Sequence, residues 1–349
     1  MAYKYEWRDS NGQKYLYIEA DTRYELGRAY GEGNPGQITP LVDEFEEKKR
    51  KADQGWFDLC AAYEATIPQE YMEEIRGIRD GWVQATGREE ITVSDIAIHT
   101  YAIDLSNKLR VKSLNGCTNF GVVNCDGTVT HGQNYDASLG MLEGANFTYH
   151  KLKGHPDMFV LRYGAGLGMA TGKNEYGVCM TVSIVHTNQE AEVMTPRAVL
   201  VRQALEKKTA REAIEAMAPG GKSNFSYNLV ASDNTTVVAS QAIPTEQRIV
   251  CVRDFIAQSN QFDYVDWQKY LVRPAYSKKR QFYAEQQLRD FRGRYGKVTD
   301  TDLIEILRDE PIICRTKVGD GIGTTVLFFT RESFGLGNAL KDPIGKQPL

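Results

Sequence analysis

The sequence has no apolar run of about 18 residues, the length that a membrane-spanning helix needs, and no cluster of basic residues. The formal net charge is −4 over 349 residues. Mild acidity without a basic patch argues against nucleic acid and against anionic membrane surfaces as partners. The first residues also lack the apolar stretch of a secretory signal, so we expect a cytoplasmic protein.

Cysteine and histidine are scarce as well, with six and five residues. No two cysteines have CxxC spacing, which argues against a zinc knuckle and against a disulfide scaffold. None of the histidines has a recognisable triad context or partners at metal-ligand spacing, so we expect no metal. His99 and His131 are predicted to be structural. His150 and His155 flank a Lys-Gly turn and are predicted to be solvated.

Local patterns predict helices in the first third of the chain and mostly strands after it. Tyr71, Ile75, Ile78 and Trp82 recur at helical spacing, and a capping box at Thr92 opens another helix. Further helical segments are predicted at 23–33, 40–63, 195–207, 209–217, 275–292 and from 299. Strand-like runs are found at 14–19, 118–123, 128–131, 158–163, 177–185, 226–232, 235–241, 248–252 and 324–329. Hairpin-linked strands favour antiparallel sheets, and the predicted class is α+β.

The tetrad Asn115-Gly116-Cys117-Thr118 lies where a helical segment gives way to a strand. Three interpretations compete. A lipoprotein cleavage box is disfavoured because no apolar stretch precedes it. A buried structural cysteine is the ordinary interpretation of a single cysteine. The third is a nucleophile that is unmasked by cleavage of its own N-terminal peptide bond.

The third interpretation has a chemical rationale. The Cys117 thiol at the start of a strand can attack the preceding carbonyl, and Gly116 permits the backbone conformation that this attack requires. Hydrolysis of the resulting thioester would free Cys117 as a new N-terminus. Its α-amine, with a reference pKa of about 7.7–8.0, could then act as the base for its own thiol. No histidine would be needed.

Several segments stand in a distinctive order and spacing. They are Arg23–Gly31, Tyr71–Gly81, Gly116–Thr118, Gly132–Asp136, Thr195–Met217, Gln258–Asn260 and Ile313–Arg315. Together they resemble the penicillin (isopenicillin N) acyltransferase family of the N-terminal-nucleophile hydrolases. The resemblance implies a four-layer α/β/β/α sandwich, with two antiparallel sheets between helix layers. It also implies that Gly116-Cys117 is the self-cleavage site and that Cys117 is the nucleophile.

The same resemblance implies roles for further residues. Asp136, on the return strand of the hairpin, would hold the freed α-amine, although an Asp in this context could also cap a turn. Asn260 would donate its amide to the tetrahedral oxyanion, although it could also be an ordinary loop residue. Gln133, Asn134 and Tyr135 would line the substrate site, with individual roles left open.

The chain is therefore expected to be one domain over 1–349 that cleaves itself, as a zymogen does, into 1–116 and 117–349. The favoured function is a cysteine hydrolase or acyltransferase that acts on linear non-peptide amides or thioesters. No organic cofactor is required, and a coenzyme A thioester as acyl donor lacks a supporting phosphate-binding motif. A homo-oligomer is left open. The alternative is an uncleaved, non-catalytic member of the family that binds small molecules.

Two departures from the family pattern argue against a penicillin substrate. The family tends to carry Asn in the strand aligned with 177–185, where this chain has Thr181 and Ser183. Its penicillin-making members have an Arg shortly before the last core strand, where this chain has Gly319–Gly323. Neither departure affects the thiol chemistry.

Overall fold

The computed structural model describes residues 3–109, 116–137, 141–169, 171–272, 275–309, 312–313, 324–336 and 343–349. The helices are α1 (Arg23–Gly33), α2 (Pro35–Lys51), α3 (Gln54–Glu64), α4 (Gln69–Thr86), α5 (Val93–Lys108), α6 (Met141–Gly144), α7 (Arg197–Leu205), α8 (Ala210–Ala216), α9 (Ala275–Tyr295) and α10 (Asp300–Leu307). The strands are β1 (Tyr3–Ser10), β2 (Gln13–Ala20), β3 (Gly116–Val123), β4 (Val129–Ala137), β5 (Ala145–Leu152), β6 (Met158–Tyr163), β7 (Thr171–Asn174), β8 (Cys179–Ile184), β9 (Tyr227–Ser232), β10 (Val237–Ile243), β11 (Glu246–Cys251), β12 (Phe255–Gln258), β13 (Thr324–Thr330), β14 (Ser333–Leu336) and β15 (Gly345–Lys346).

Helix starts follow local capping chemistry. Capping boxes open four helices, in which a threonine side chain accepts from the third backbone N–H and the acidic residue there caps in return. The four threonines are Thr22, Thr92, Thr209 and Thr299. The apolar spacing predicted after Pro68 is confirmed, because Tyr71, Ile75, Ile78 and Trp82 are all buried along α4.

Among the described residues, nine strands form one sheet in the order β1-β2-β5-β6-β7-β8-β9-β10-β11. One pair departs from the antiparallel expectation, since β2 runs parallel to β5 and Tyr17 lies opposite Tyr149. The reason is the connection between them. It includes the six helices α1 to α6 and the β3–β4 hairpin, and a long crossover is what a parallel pair requires.

A second sheet, six-stranded within the described residues, has the order β12-β3-β4-β13-β14-β15. Its inner face packs on the nine-stranded sheet. Asn119 of β3 donates to the Asn228 carbonyl, and Gln133 of β4 donates to the Val182 carbonyl. Helices α9 and α10 cover its outer face, while α1 to α5 pack on the outer face of the larger sheet. The predicted four-layer α+β architecture is confirmed.

A buried ionic cluster joins parts of the chain on either side of the Gly116-Cys117 bond. Glu74 of α4 lies 3.2 Å from Arg162 Nη1 and 2.9 Å from Arg202 Nη1. Burial alone would raise the pKa of Glu74, but the charges of Arg202 and Arg162 together hold it below its usual value. The carboxylate is therefore ionised and pairs α4 with β6 and α7.

None of the helices in the described ranges is both long enough and apolar enough to span a bilayer. Three sequence motifs lie outside those ranges in whole or in part. They are Asn115 of the cleavage tetrad, Cys314-Arg315 of the late motif and the Gly319–Gly323 stretch.

Candidate active site

The β3–β4 hairpin sets the position of Cys117. The strands are joined by a tight turn in which Gly127 adopts a φ of 81°, a conformation that glycine adopts without strain. In the resulting register Gly116 lies opposite Asp136, and Cys117 lies opposite Tyr135. The predicted scissile bond is therefore at the first residues of β3, beside the end of its partner strand.

The Cys117 side chain is only 1% exposed. Burial raises the pKa of its thiol to about 12, and the negative charge of Asp136 acts in the same direction. The positive charges of Arg280 and Arg197 oppose this effect, as does a hydrogen bond with Asn260. In the uncleaved chain the thiol is thus neutral, and a nearby base is needed to activate it.

Asn260 lies directly against Cys117, two residues beyond the end of β12. Its Oδ1 accepts the backbone N–H of Cys117 at 2.8 Å, and its Nδ2 donates to the Ile184 carbonyl at 2.7 Å. Asn228 of β9 holds this loop by donating to the carbonyls of Ser259 and Gln261. The predicted neighbour of the nucleophile is therefore found beside it, whereas its role as an oxyanion donor stays a prediction.

Arg280 of α9 is a further member of the site that sequence reasoning missed. Its Nη1 donates to the Cys117 carbonyl at 2.6 Å and to Thr118 Oγ1 at 2.9 Å. Its Nη2 donates to Asn260 Oδ1 at 2.6 Å. One buried guanidinium thus binds the carbonyl of Cys117 and also Asn260, the side chain that accepts the N–H of Cys117.

A signal for Arg280 was present in the sequence. It shares the buried stripe of α9 with Ser277, Ala284 and Leu288, at spacings of three or four residues. A charged residue on an apolar stripe needs buried partners. The two residues before Arg280, Lys278 and Lys279, are exposed on the same helix.

A second buried arginine, Arg197, was also missed. It is the first residue of α7, and its side chain is 2% exposed. Its backbone N–H donates to the carboxylate of Asp104, and its guanidinium lies 5.3 Å from the centre of the Phe225 ring. The residue follows Thr195-Pro196, which indicates a helix start but gives no sign of a buried charge.

Asp136 is also buried, at 1% exposure, and it lies opposite Gly116. Its charge acts on the Cys117 thiol. The carboxylate is thus near the α-amine that cleavage would create. Holding that amine remains the predicted role of Asp136.

The three residues predicted to line the substrate site lie on two faces of β4. Tyr135 and Gln133 are on the face of Cys117, toward the larger sheet, and Gln133 Nε2 donates to the Val182 carbonyl at 2.8 Å. Asn134 is on the opposite face and donates to the Leu307 carbonyl of α10. Substrate contact stays a prediction for all three, and the geometry favours it least for Asn134.

A comparison with known protein families identifies the family to which the chain belongs. A family model described as acyl-coenzyme A:6-aminopenicillanic acid acyl-transferase matches residues 123–330, more than half of the chain. The chain belongs to this family. The match includes Asp136, Asn260, Arg197 and Arg280, and it begins after Cys117.

Solved structures resemble this family member at low identity. They include an N-acylethanolamine-hydrolyzing acid amidase ortholog of Caenorhabditis elegans (14% identity, TM-score 0.49, 66% of this chain and 100% of that one). They also include penicillin V acylase of Agrobacterium tumefaciens (14%, 0.46, 65% and 84%). A third is a variant of the conjugated bile acid hydrolase of Clostridium perfringens (11%, 0.42, 67% and 97%). None of the curated proteins compared with the chain matches it.

The two histidines predicted to be structural, His131 and His99, are both buried. His131 is buried between the sheets, bound to Ser232 Oγ and Thr181 Oγ1, and burial lowers its pKa to about 3. His99 is buried as well, with a pKa lowered to about 3 by burial. The prediction of a solvated His150 is wrong. Its side chain is 1% exposed on β5, where alternate residues on both faces are covered.

Two positions that depart from the family pattern, Thr181 and Ser183, lie on β8. Thr181 binds His131 across the sheets at 2.9 Å. Ser183 lies directly opposite Asn228 in the β8–β9 pair. An asparagine side chain is therefore present one strand away from the aligned position, where it supports the Asn260 loop.

Proposed function

We propose that this protein is a self-processing cysteine amidohydrolase or acyltransferase that acts on linear non-peptide amides. One observation carries the proposal. The backbone N–H and carbonyl of Cys117 are bound by Asn260 and Arg280, which orients a thiol near Asp136 at the start of a strand. A structural cysteine has no need of polar side chains on both of its peptide groups.

In the proposed maturation, Cys117 Sγ attacks the carbonyl carbon of Gly116. As the peptide C–N bond breaks, the thiol proton passes to the departing nitrogen and a thioester forms. Water then hydrolyses the thioester, which gives a carboxylate on Gly116 and a free thiol and α-amine on Cys117. The single domain 1–349 becomes segments 1–116 and 117–349, and no cofactor takes part.

In the proposed reaction, the new α-amine takes the proton of the Cys117 thiol, and the thiolate attacks the substrate carbonyl. The ammonium then protonates the leaving amine, and a thioester remains. Water, or a second amine or thiol, attacks this thioester with the α-amine again as base, and the thiol is regenerated. Residues that hold the amine in place therefore control both halves of the cycle.

The buried polar groups suit these steps. Arg280 fixes the Cys117 carbonyl and Asn260 together, so the nucleophile and its neighbour move as one unit. Asp136 provides a carboxylate for the α-ammonium, a charge-assisted contact. Asn260 has one amide nitrogen that could donate to the oxyanion. A donor of this kind lowers the activation free energy by roughly 3–4 kcal/mol in other hydrolases.

An uncleaved, non-catalytic protein that binds small molecules is the alternative. The observation that favours it is the 1% exposure of Cys117 together with its raised thiol pKa. Such a thiol has little reactivity in the uncut chain. The two hypotheses differ in whether the Gly116-Cys117 bond breaks.

The deciding experiment is intact mass and a denaturing gel on the purified chain, with a Cys117→Ala variant beside it. We expect two fragments from the wild type, the larger with cysteine as its first residue. The variant should remain one chain of 39.3 kDa. A wild-type preparation that hydrolyses N-acyl amines while uncut would contradict the α-amine mechanism, and cleavage of the variant at the same bond would contradict the choice of nucleophile.

Incubation with a panel of N-acyl amines and thioesters would extend the test. A trapped acyl adduct on the fragment that starts with Cys117 is the expected result. Its mass identifies the acyl group, and the ratio of free acid to transferred product separates hydrolysis from acyl transfer.

A further inference from the structure

The Arg197 side chain is a buried cation without a partner among the described residues. Its Nε and Nη1 atoms are buried and form no hydrogen bond. No carboxylate of the described chain lies within ion-pair distance of its guanidinium. By contrast, the buried Arg202 pairs directly with Glu74 at 2.9 Å.

The charge of Asp104 interacts with that of Arg197, but the Asp104 carboxylate already accepts hydrogen bonds from other groups. Its carboxylate accepts the backbone N–H of Arg197 and the Nδ2 of Asn224, the latter at 2.7 Å. Burial raises the pKa of Asp104 to about 6, although the charge of Arg197 opposes this rise. Asp104 therefore anchors the start of α7 and does not neutralise the guanidinium at contact distance.

The guanidinium is located near the nucleophile through a short series of contacts. It lies over the Phe225 ring. The next residue, Ser226, accepts the N–H of Val185 at its carbonyl, and Ile184 accepts the amide of Asn260. The charge of Arg197 also acts on the Cys117 thiol, whose pKa it lowers.

Leaving a guanidinium buried and unpaired costs several kcal/mol, and such groups concentrate at binding and catalytic sites. A carboxylate is the matching partner, because it accepts charge-assisted hydrogen bonds from the planar guanidinium. Phe225, which lies against this cation, belongs to a buried apolar cluster that also includes Ile184 and Tyr227. Such apolar surroundings would strengthen a salt bridge by excluding water.

We infer that Arg197 forms a carboxylate-binding subsite beside Cys117, and that the preferred substrates are amides that bear a carboxylate. This inference rests on the proposed function for the identity of the reacting group. Arg197 would bind and orient the substrate, and it would take no part in proton transfer. The neutral amides of the same length would lack the one contact that satisfies the buried charge.

Three probes test the subsite. N-octanoylglycine carries the carboxylate on the amine side, suberic acid monoethanolamide carries it on the acyl side, and N-octanoylethanolamine carries none. For the wild type we expect kcat/KM for one of the two acidic probes to exceed that of the neutral probe by roughly 30- to 100-fold. Arg197→Gln should reduce this ratio to about 1, and Arg197→Lys should restore part of it.

The ratio is the informative quantity, because loss of the Arg197 charge also affects the Cys117 thiol and slows all three probes alike. Arg211→Gln, which changes an exposed arginine on α8, is the matched control and should leave the ratio unchanged. Equal handling of acidic and neutral probes by the wild type, or an equal loss on all probes in Arg197→Gln, would overturn the subsite.

Calorimetric binding to the Cys117→Ala chain repeats the comparison without chemistry. Tighter binding of an acidic probe that disappears in Cys117→Ala/Arg197→Gln supports the subsite even if no probe is turned over. In that case the proposed reaction fails and the subsite stands. Turnover of all three probes without dependence on Arg197 gives the opposite result.

Discussion

Cys117 and Cys179 occupy two buried regions that are alike by most measures. Each lies on a strand, each is at most 1% exposed, and burial raises the thiol pKa of each to about 12. Both belong to the same apolar cluster. Neither exposure nor acidity therefore distinguishes a candidate nucleophile from a core cysteine.

Polar contacts with the main chain do distinguish the two regions. Cys179 lies in the β8 ladder between Lys173 and Ser232, which is the ordinary environment of a central strand. Cys117 is the second residue of its strand, and the side chains of Asn260 and Arg280 bind its N–H and its carbonyl. These side-chain contacts at both peptide groups of Cys117 are the reason why it, and not Cys179, is the candidate nucleophile.

The largest expected difference comes from removing each sulfur in turn. Cys117→Ala should abolish cleavage and turnover, because no other group replaces the nucleophile. Cys179→Ala should still be cleaved, with its free energy of unfolding lowered by about 1–2 kcal/mol for the lost buried volume. Intact mass and urea unfolding, the latter in a Cys117→Ala background, measure the two effects. Loss of cleavage in a folded Cys179→Ala chain would remove the distinction.

An intermediate effect is expected at Arg280. Arg280→Gln should slow cleavage and turnover by roughly 10²- to 10³-fold, because it removes charge-assisted hydrogen bonds to the Cys117 carbonyl and to Asn260. Arg280→Lys should recover part of the rate. The exposed Arg289 on the same helix provides the control, and Arg289→Gln should behave as wild type. Single-turnover kinetics and a thermal melt separate this effect from misfolding.

Equal loss of rate in Arg280→Gln and Arg280→Lys, with unchanged stability, would mean that positive charge at this place is not what matters. The planar guanidinium geometry would then be the essential feature. Wild-type rates in both variants would instead show that the Arg280 contacts do not matter for cleavage or turnover. The Cys117 region would then not differ from the Cys179 region in this respect.

The smallest expected effect concerns pH. The Cys179 thiol has a pKa raised from 9.0 to about 12, so the folded state favours its neutral form. The contribution of this thiol to the free energy of unfolding is fully present below pH 9. It is lost as pH rises toward 12, because the unfolded chain then releases a proton that the folded chain retains. In a Cys117→Ala background, Cys179→Ala should lessen the loss of unfolding free energy between about pH 8.5 and about pH 10.5 by about 2 kcal/mol. Urea unfolding at both pH values measures it, and an identical loss in both chains would argue against the raised pKa.

Local features of the fold could be predicted from the sequence, because their causes lie within a few residues. The threonine of each capping box and the buried stripe of α4 are of this kind. The parallel β2–β5 pair could not be predicted in the same way, because its partners are brought together by a long crossover. The strand β5 was missed although Phe147 and Tyr149 alternate with Asn146, Thr148 and His150, and the burial of these polar residues could not be predicted because both faces of the strand are covered only in the folded chain.

The residues of the candidate site likewise fall into two groups, those that sequence motifs predict and those that depend on tertiary packing. Cys117, Asp136 and Asn260 were found through motifs, and the structure brings them together at one end of the β3–β4 hairpin. Arg280 and Arg197 were missed because an arginine in a helix is usually solvated. Only tertiary packing gives these two side chains their buried surroundings, so residue type alone could not indicate them.

The ionic cluster at Glu74 has a consequence for the fate of the first 116 residues. They supply β1 and β2 to the larger sheet, and Glu74 is the carboxylate that neutralises Arg162 and Arg202. Dissociation would leave two buried guanidinium groups unpaired, a cost of roughly 3–5 kcal/mol, besides the broken strand pairing. A cut after Gly116 would therefore be a nick in a bipartite scaffold, and the smaller piece would be a permanent subunit rather than a discarded propeptide.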